Sequence, residues 1–147
     1  MNITADRIDT IATARLAIET DGEGFYEVTG EVQRFVRDAG ANNGLVLMYM
    51  RHTSASLVIQ ENADHDVRTD LVTALTRLAP AAAGWTHDVE GPDDMPAHIK
   101  TMLTGVSLHI PVVEATLALG TWQGIYVVEH RARPHVREII LQFVGRA

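Results

Sequence analysis

The 147-residue sequence predicts an α+β fold with a largely antiparallel sheet. Three observations carry that expectation. Segments with helical spacing of apolar residues sit in the first half and middle of the chain, strand-like runs crowd in after Gly105, and the two kinds of segment do not alternate as a doubly wound fold requires. No internal repeat, linker or low-complexity stretch divides the chain, so residues 1–147 read as one domain.

Taken in order, "TIATARLAI" alternates as a strand should, with Ile11, Leu16 and Ile18 as its larger apolar residues, and "DGEG" is a turn. In "VTGEVQRFVRDAG", Val28, Val32, Phe35 and Val36 recur at helical spacing, and Gly40 is a fitting helix end. "GLVLMYM" is a continuous apolar run of strand length, expected to be buried on both faces, and "SASLVIQ" follows as a second strand after a sharp break. From Asp64 the period lengthens: Val67, Leu71, Leu75 and Leu78 mark the clearest helix of the chain, which Pro80 ends and either Asn62 or Asp64 caps. "GWTHDVEGPDDMPAHIKTML" opens as a polar loop and closes as a short helix, with Asp94 as a candidate cap and Pro96 in the first turn. Four strand-like runs complete the chain: "VSLHIPV", "EATLAL", "TWQGIYVVEH" and "VREIILQFV".

Composition excludes several kinds of function. The chain has no cysteine, so disulfides, thiolate metal sites and cysteine nucleophiles are ruled out. A formal net charge of -7 and a pI near 5.4 argue against nucleic acid as a partner. Arg131, Arg133 and Arg137 gather near the end, enough to meet a phosphate group. "MNITADRIDTIATARLAIET" lacks the basic-then-apolar order of a signal peptide, and no run approaches the ~20 apolar residues of a membrane span. A cytoplasmic protein with no membrane partner is expected.

The chemistry concentrates in "RHTSASLVIQENADHDVRTDL" and in the loop after the main helix. His65 and His135 read as solvated, and His109 as outward-facing on a strand. Strand alternation aims His52 to the side of Val46, Met48 and Met50, either as a partly buried imidazole bonded to a carbonyl or as a ligand or acid–base group at a pocket mouth. His87 and His98 flank a segment carrying Asp88, Glu90, Asp93 and Asp94. Convergence of His52, His87 and His98 would suit a divalent ion, because neutral imidazole is a common nitrogen ligand. Thr53, Ser54 and Ser56 offer hydroxyls for phosphate oxygens or water, while no GxSxG elbow supports a serine nucleophile. Glu61, Asp66 and Asp70 either favour the start of the helix or reach a magnesium-bound diphosphate. The glycines around Trp122 and Gln123 mark a bulge or a close backbone approach.

The stretches "HTSASLVIQENADHDVRTDL", "HDVEGPDDMPAHIKTMLTGVSL" and "LALGTWQGIYVVEHR" together resemble the YjbQ-like family, small proteins described as secondary thiamine-phosphate synthases. The resemblance spans residues 10 to 145. It implies an α+β homotrimer with sites near subunit boundaries, a bound metal, and a weak transferase activity in thiamine biosynthesis. That activity joins hydroxymethylpyrimidine diphosphate to thiazole phosphate and releases pyrophosphate. The family's motif histidines fall on His52, His87 and His98, its acidic and amide positions on Glu61, Asn62, Asp66 and Asp88, and its strand motif on Gly120 to Gly124. On this reading the three histidines hold a zinc or magnesium ion or phosphate, Glu61, Asp66 and Asp88 orient the imidazoles or the ion's waters, and Thr53, Ser54 and Ser56 bind the phosphate oxygens of a small phosphorylated molecule. A metal-dependent hydrolase of another substrate and a non-catalytic trimeric metal- or anion-binding module remain as alternatives. The sequence departs from the family near its end, where "EHRARPHVRE" replaces a glycine pair and Pro134 and Arg137 change the loop; His65 stands where relatives often have proline.

Overall fold

A computed structural model describes residues 1–147. Period-two alternation makes β1 (Thr10–Thr20) a strand with Ala12, Ala14, Leu16 and Ile18 turned inward. It pairs antiparallel along its length with β8 (His135–Arg146), the last strand of the chain. β3 (Asn43–Met50) lies on the other side of β8 and pairs with β5 (Ser107–Val113), which hairpins into the two-residue β6 (Thr116–Leu117). The resulting sheet runs β1-β8-β3-β5-β6. A second antiparallel sheet runs β2-β7-β4, from β2 (Gly24–Glu27), β7 (Gln123–Glu129) and β4 (Ala55–Glu61). Three helices complete the architecture: α1 (Thr29–Asp38), α2 (His65–Leu78) and α3 (Asp94–Thr104). The α+β expectation with antiparallel pairing therefore holds. No helix is long and apolar enough to cross a membrane.

The core lies between the sheets. Val28, Val32 and Val36 at the start of and along α1 pack with Val46, Met48 and Met50 of β3, Leu57 of β4, Ile125 and Val127 of β7, and Ile139, Leu141 and Phe143 of β8. The far side of the three-stranded sheet is covered by α3, which lies on β4, and by α2, which lies against β2. Side chains alternate across β7, so Ile125, Val127 and Glu129 face the five-stranded sheet while Tyr126, Val128 and His130 face the helices.

Several expectations are corrected. β3 is not buried on both faces: Leu45 is 37% and Tyr49 49% exposed, because no layer of this chain covers the outer face of its sheet. The strand enclosed on both sides is β7. "EATLAL" yields only β6, since Glu114 and Ala115 adopt positive φ in a tight turn, and β7 begins at Gln123 rather than Thr121. α2 forms as its period predicts, and Asp64 caps it by accepting from the Asp66 N–H at 2.9 Å. It buries no residue fully, and Leu78 is 67% exposed. Asp94 is not the cap of α3; Asp93 holds that position and Asp94 is the first helical residue, buried.

Candidate metal centre

Helix geometry supplies the first two groups. Asp94 and His98 stand four residues apart, hence on one face of α3, and that face is turned inward: Asp94 is 2% exposed. Pro96 fits the first turn, where a missing N–H costs nothing. The loop before the helix doubles back through turns in which Gly91 N–H bonds Asp88 O and Asp94 N–H bonds Gly91 O. This returns His87 to the helix start. His87 Nε2 lies 2.6 Å from Asp94 Oδ2 and His98 Nε2 lies 3.2 Å from the same oxygen. The two rings are 5.5 Å apart, and all three candidate ligand atoms fall within 4.8 Å of one another.

The protonation pattern of His98 decides what this cluster can hold. Its Nδ1 is 2.8 Å from the Thr53 carbonyl, which can only accept, so the proton sits on Nδ1 and a neutral ring has its lone pair on Nε2, aimed at the cluster. A metal-ligating histidine typically shows this arrangement, its outer nitrogen donating to a carbonyl. Burial alone would raise the Asp94 carboxyl, but its hydrogen bond to His87 and the Arg131 charge, joined by His98 and His87 whenever those rings are protonated, outweigh that and hold it below the ordinary carboxylate value. Two imidazole nitrogens and one carboxylate oxygen suit zinc better than magnesium, which favours an all-oxygen octahedron. Three protein ligands also leave a coordination position open.

The structure brings His87 and His98 together and sets Asp94 as the third member. His52 stands outside the cluster. Its Nε2 accepts the Glu138 backbone N–H at 2.9 Å, and burial, then the Arg137 charge, lower its pKa. His52, Thr53 and His98 instead line one cavity of about 660 Å³ with Tyr49, Arg51 and Met102. Ser54 and Ser56 do not line it: Ser54 Oγ accepts from Arg137 at 3.0 Å, and Ser56 is fully buried against His130. Asp88 is exposed on the loop. Glu61, Asn62 and Asp66 lie at or beyond the far end of β4, six residue rises or ~20 Å along the strand from its start. There they meet the "GTWQG" segment: Asn62 N–H bonds Trp122 O, and a Cβ on Gly124 would come within 3.0 Å of Glu27 and 3.1 Å of Asn62. That is the close approach the glycine permits.

A buried polar network adjoins the His87–Asp94–His98 cluster, and its central residues are additional to the sequence-predicted site residues. Glu129, 0% exposed, accepts from Arg137 Nε at 2.7 Å and Nη2 at 2.5 Å, and from Thr20 at 2.6 Å. Burial would raise its pKa, but Arg137, Thr20 and the Arg131 N–H bring it below the usual value. His130, 1% exposed, faces the opposite side and bonds Ser56, which bonds Thr104. Burial, then Lys100, pushes its pKa down to about 4, so the ring is neutral. The signal was the continuous apolar run "GIYVV": a strand enclosed on both faces carries the two polar residues that follow it into the interior.

Comparison with known proteins agrees with this architecture. The chain matches the model of the UPF0047 protein YjbQ-like family over residues 14–146. It is 48% identical over 131 residues to UPF0047 protein sll1880 of Synechocystis, covering 88% of this chain and 89% of that one, and 40% identical to UPF0047 protein YjbQ of Escherichia coli O157:H7, covering 88% and 95%. Among solved structures, a YjbQ/UPF0047 protein of Clostridium acetobutylicum superposes with a TM-score of 0.83 at 34% identity, covering 88% of this chain and 98% of that one. A hypothetical protein of Aeropyrum pernix gives 0.85 at 30% identity, with 92% and 99% covered. This chain belongs to the UPF0047, or YjbQ-like, family.

Proposed function

We propose that this protein is a divalent-metal enzyme that holds zinc at His87, Asp94 and His98 and acts on a small phosphorylated molecule in the adjoining cavity. The orientation of His98 carries the reading: a ring whose Nδ1–H is committed to the Thr53 carbonyl keeps Nε2 free beside a buried carboxylate and a second imidazole. When bound, the ion supplies a Lewis acid that neutralises phosphate oxygens and a departing anion. The chain's own residues do the rest. Thr53 fixes the His98 tautomer, Tyr49 and Met102 offer apolar contact to a substrate ring, and Arg51, beside Glu138, offers charge at the rim. His52 has spent Nε2 on the Glu138 N–H, so a neutral ring offers the cavity a donor at Nδ1 rather than a base.

The specific reaction proposed is thiamine-phosphate formation, in which the thiazole nitrogen bonds to the pyrimidine methylene as the carbon–oxygen bond to diphosphate breaks. The working unit proposed is a homotrimer. The outer face of the five-stranded sheet supports it, with Tyr49, Val113 and Val136 about half exposed or more and no layer of the same chain above them.

The test is metal analysis of purified protein beside His87→Ala and His98→Ala, followed by turnover of pure substrates. The expected result is zinc near one equivalent per chain, lost in both variants, with thiamine phosphate formed only by the loaded wild type. A wild type that keeps no zinc after supplementation rejects the metal reading. Zinc with hydrolysis of phosphate esters and no thiamine phosphate replaces the transferase by a hydrolase, and zinc with no turnover leaves a binding module.

A further inference from the structure

The metal cluster is gripped from outside by one side chain. Arg131, only 12% exposed, donates from Nη1 to Asp94 Oδ1 at 2.5 Å, from Nε to Asp93 Oδ2 at 3.0 Å and from Nη2 to the Glu90 carbonyl at 2.9 Å. The next residue adds a fourth tie, Ala132 N–H to Asp93 Oδ2 at 2.9 Å. Arg131 is itself held from behind, since its N–H donates to Glu129 Oε2 at 3.1 Å and Glu129 is fixed by Arg137 and Thr20. A rigid chain of contacts thus runs from the interior between the sheets to a carboxylate of the cluster.

The two oxygens of Asp94 are divided by this arrangement. Oδ1 is spent on Arg131, and only Oδ2 faces the imidazoles of His87 and His98. We propose that Arg131 is a positioning residue for the metal centre: it makes Asp94 a one-oxygen ligand and pins the 90–94 segment so that His87 and Asp94 meet His98 already in place. This rests on the metal reading above. The planar guanidinium reaches three acceptors in fixed directions, which an ammonium group cannot do. Geometry therefore matters here beyond charge. Charge alone would act the other way, because removing a cation beside a metal site strengthens cation binding.

That opposition makes the proposal testable with Arg131→Lys and Arg131→Gln, read by zinc competition against a chromophoric chelator and by the visible spectrum of the cobalt(II)-loaded protein. Positioning predicts that zinc affinity falls ~10- to 100-fold in both variants, the range for groups that orient metal ligands. It also predicts that the cobalt bands shift in position and intensity, as the freed Oδ1 changes the coordination. A purely structural role would lower the unfolding midpoint and leave the cobalt spectrum unchanged. Zinc affinity at or above that of the wild type in Arg131→Lys, with the same cobalt bands, overturns the proposal while leaving the metal reading intact. A wild type that binds neither ion overturns both. If both Arg131 variants fail to fold, Asp93→Ala removes the oxygen that accepts from Arg131 and Ala132 at a half-buried position, and unchanged zinc affinity there overturns the proposal.

Discussion

The two ends of the β4–β7 strand pair carry polar residues in similar density and use them differently. Where β4 begins and β7 ends, Ser56 and His130 beneath α3 and Glu129 and Arg137 between the sheets are all 3% exposed or less. Each is bonded to a residue distant in sequence. Where β4 ends and β7 begins, Trp122 is 64% exposed and the polar groups bond mostly to neighbours. Glu61 accepts from the Asp64 N–H at 3.0 Å, and Gln123 Oε1 from the Gly120 N–H at 2.8 Å. Desolvation makes the difference. A covered polar group must find a partner or lose one to several kcal/mol, whereas a wet one exchanges its partner for water at little cost.

Glu129→Ala should break the buried end most severely. It leaves Arg137 charged, enclosed and without its carboxylate, a change that costs ~3 to 5 kcal/mol and is measured by urea unfolding. A loss under ~1 kcal/mol would show that water reaches this end after all. Acid should expose the same end through His130. Its folded pKa, about 4, lies below the ordinary 6.5, so between those values the unfolded chain binds a proton that the folded chain refuses. Stability present at neutral pH is therefore lost as pH falls from about 6.5 toward about 4, by ~3 kcal/mol in total. His130→Gln should flatten that part of the curve in urea midpoints measured across it. Below it a second loss follows, as the depressed carboxyls of Glu129, Asp93 and Asp94 take up protons. At the wet end, Gln123→Ala should change stability by less than ~0.5 kcal/mol in the same assay. A loss above ~2 kcal/mol would place that end among the enclosed ones.

Much of the secondary structure was legible because it is local. Val67, Leu71 and Leu75 announce α2 whatever packs against it, and Asp64 caps it by a contact two residues long. The centre was legible in part. His87 and His98 stood out, and the four-residue step from Asp94 to His98 was available, but a residue opening a helix also reads as a cap. The local rule favours the cap, whereas the structure puts Asp93 at the cap position and turns Asp94 inward against both imidazoles. His52 shares a motif with Thr53, yet the turn after β3 sends its Nε2 to the Glu138 backbone while Thr53 turns its carbonyl to His98. Adjacent residues in a connection between strands do not share a direction. "GLVLMYM" and "GIYVV" look alike as apolar runs, and only the sheet order shows that β7 is enclosed while β3 keeps one open face.

By itself the sequence determined the periods, the breaks between them and the pairing of Asp94 with His98 on one helical turn, because these depend on backbone geometry over a few residues. Tertiary structure alone decided that His87 returns to that turn, that Arg131 grips it from β7's far end, and that Glu129 and Arg137 close on each other within the interior. Those contacts join segments whose meeting is set by how two sheets and a helix exclude water, a property of the whole packed chain that no short window of residues contains.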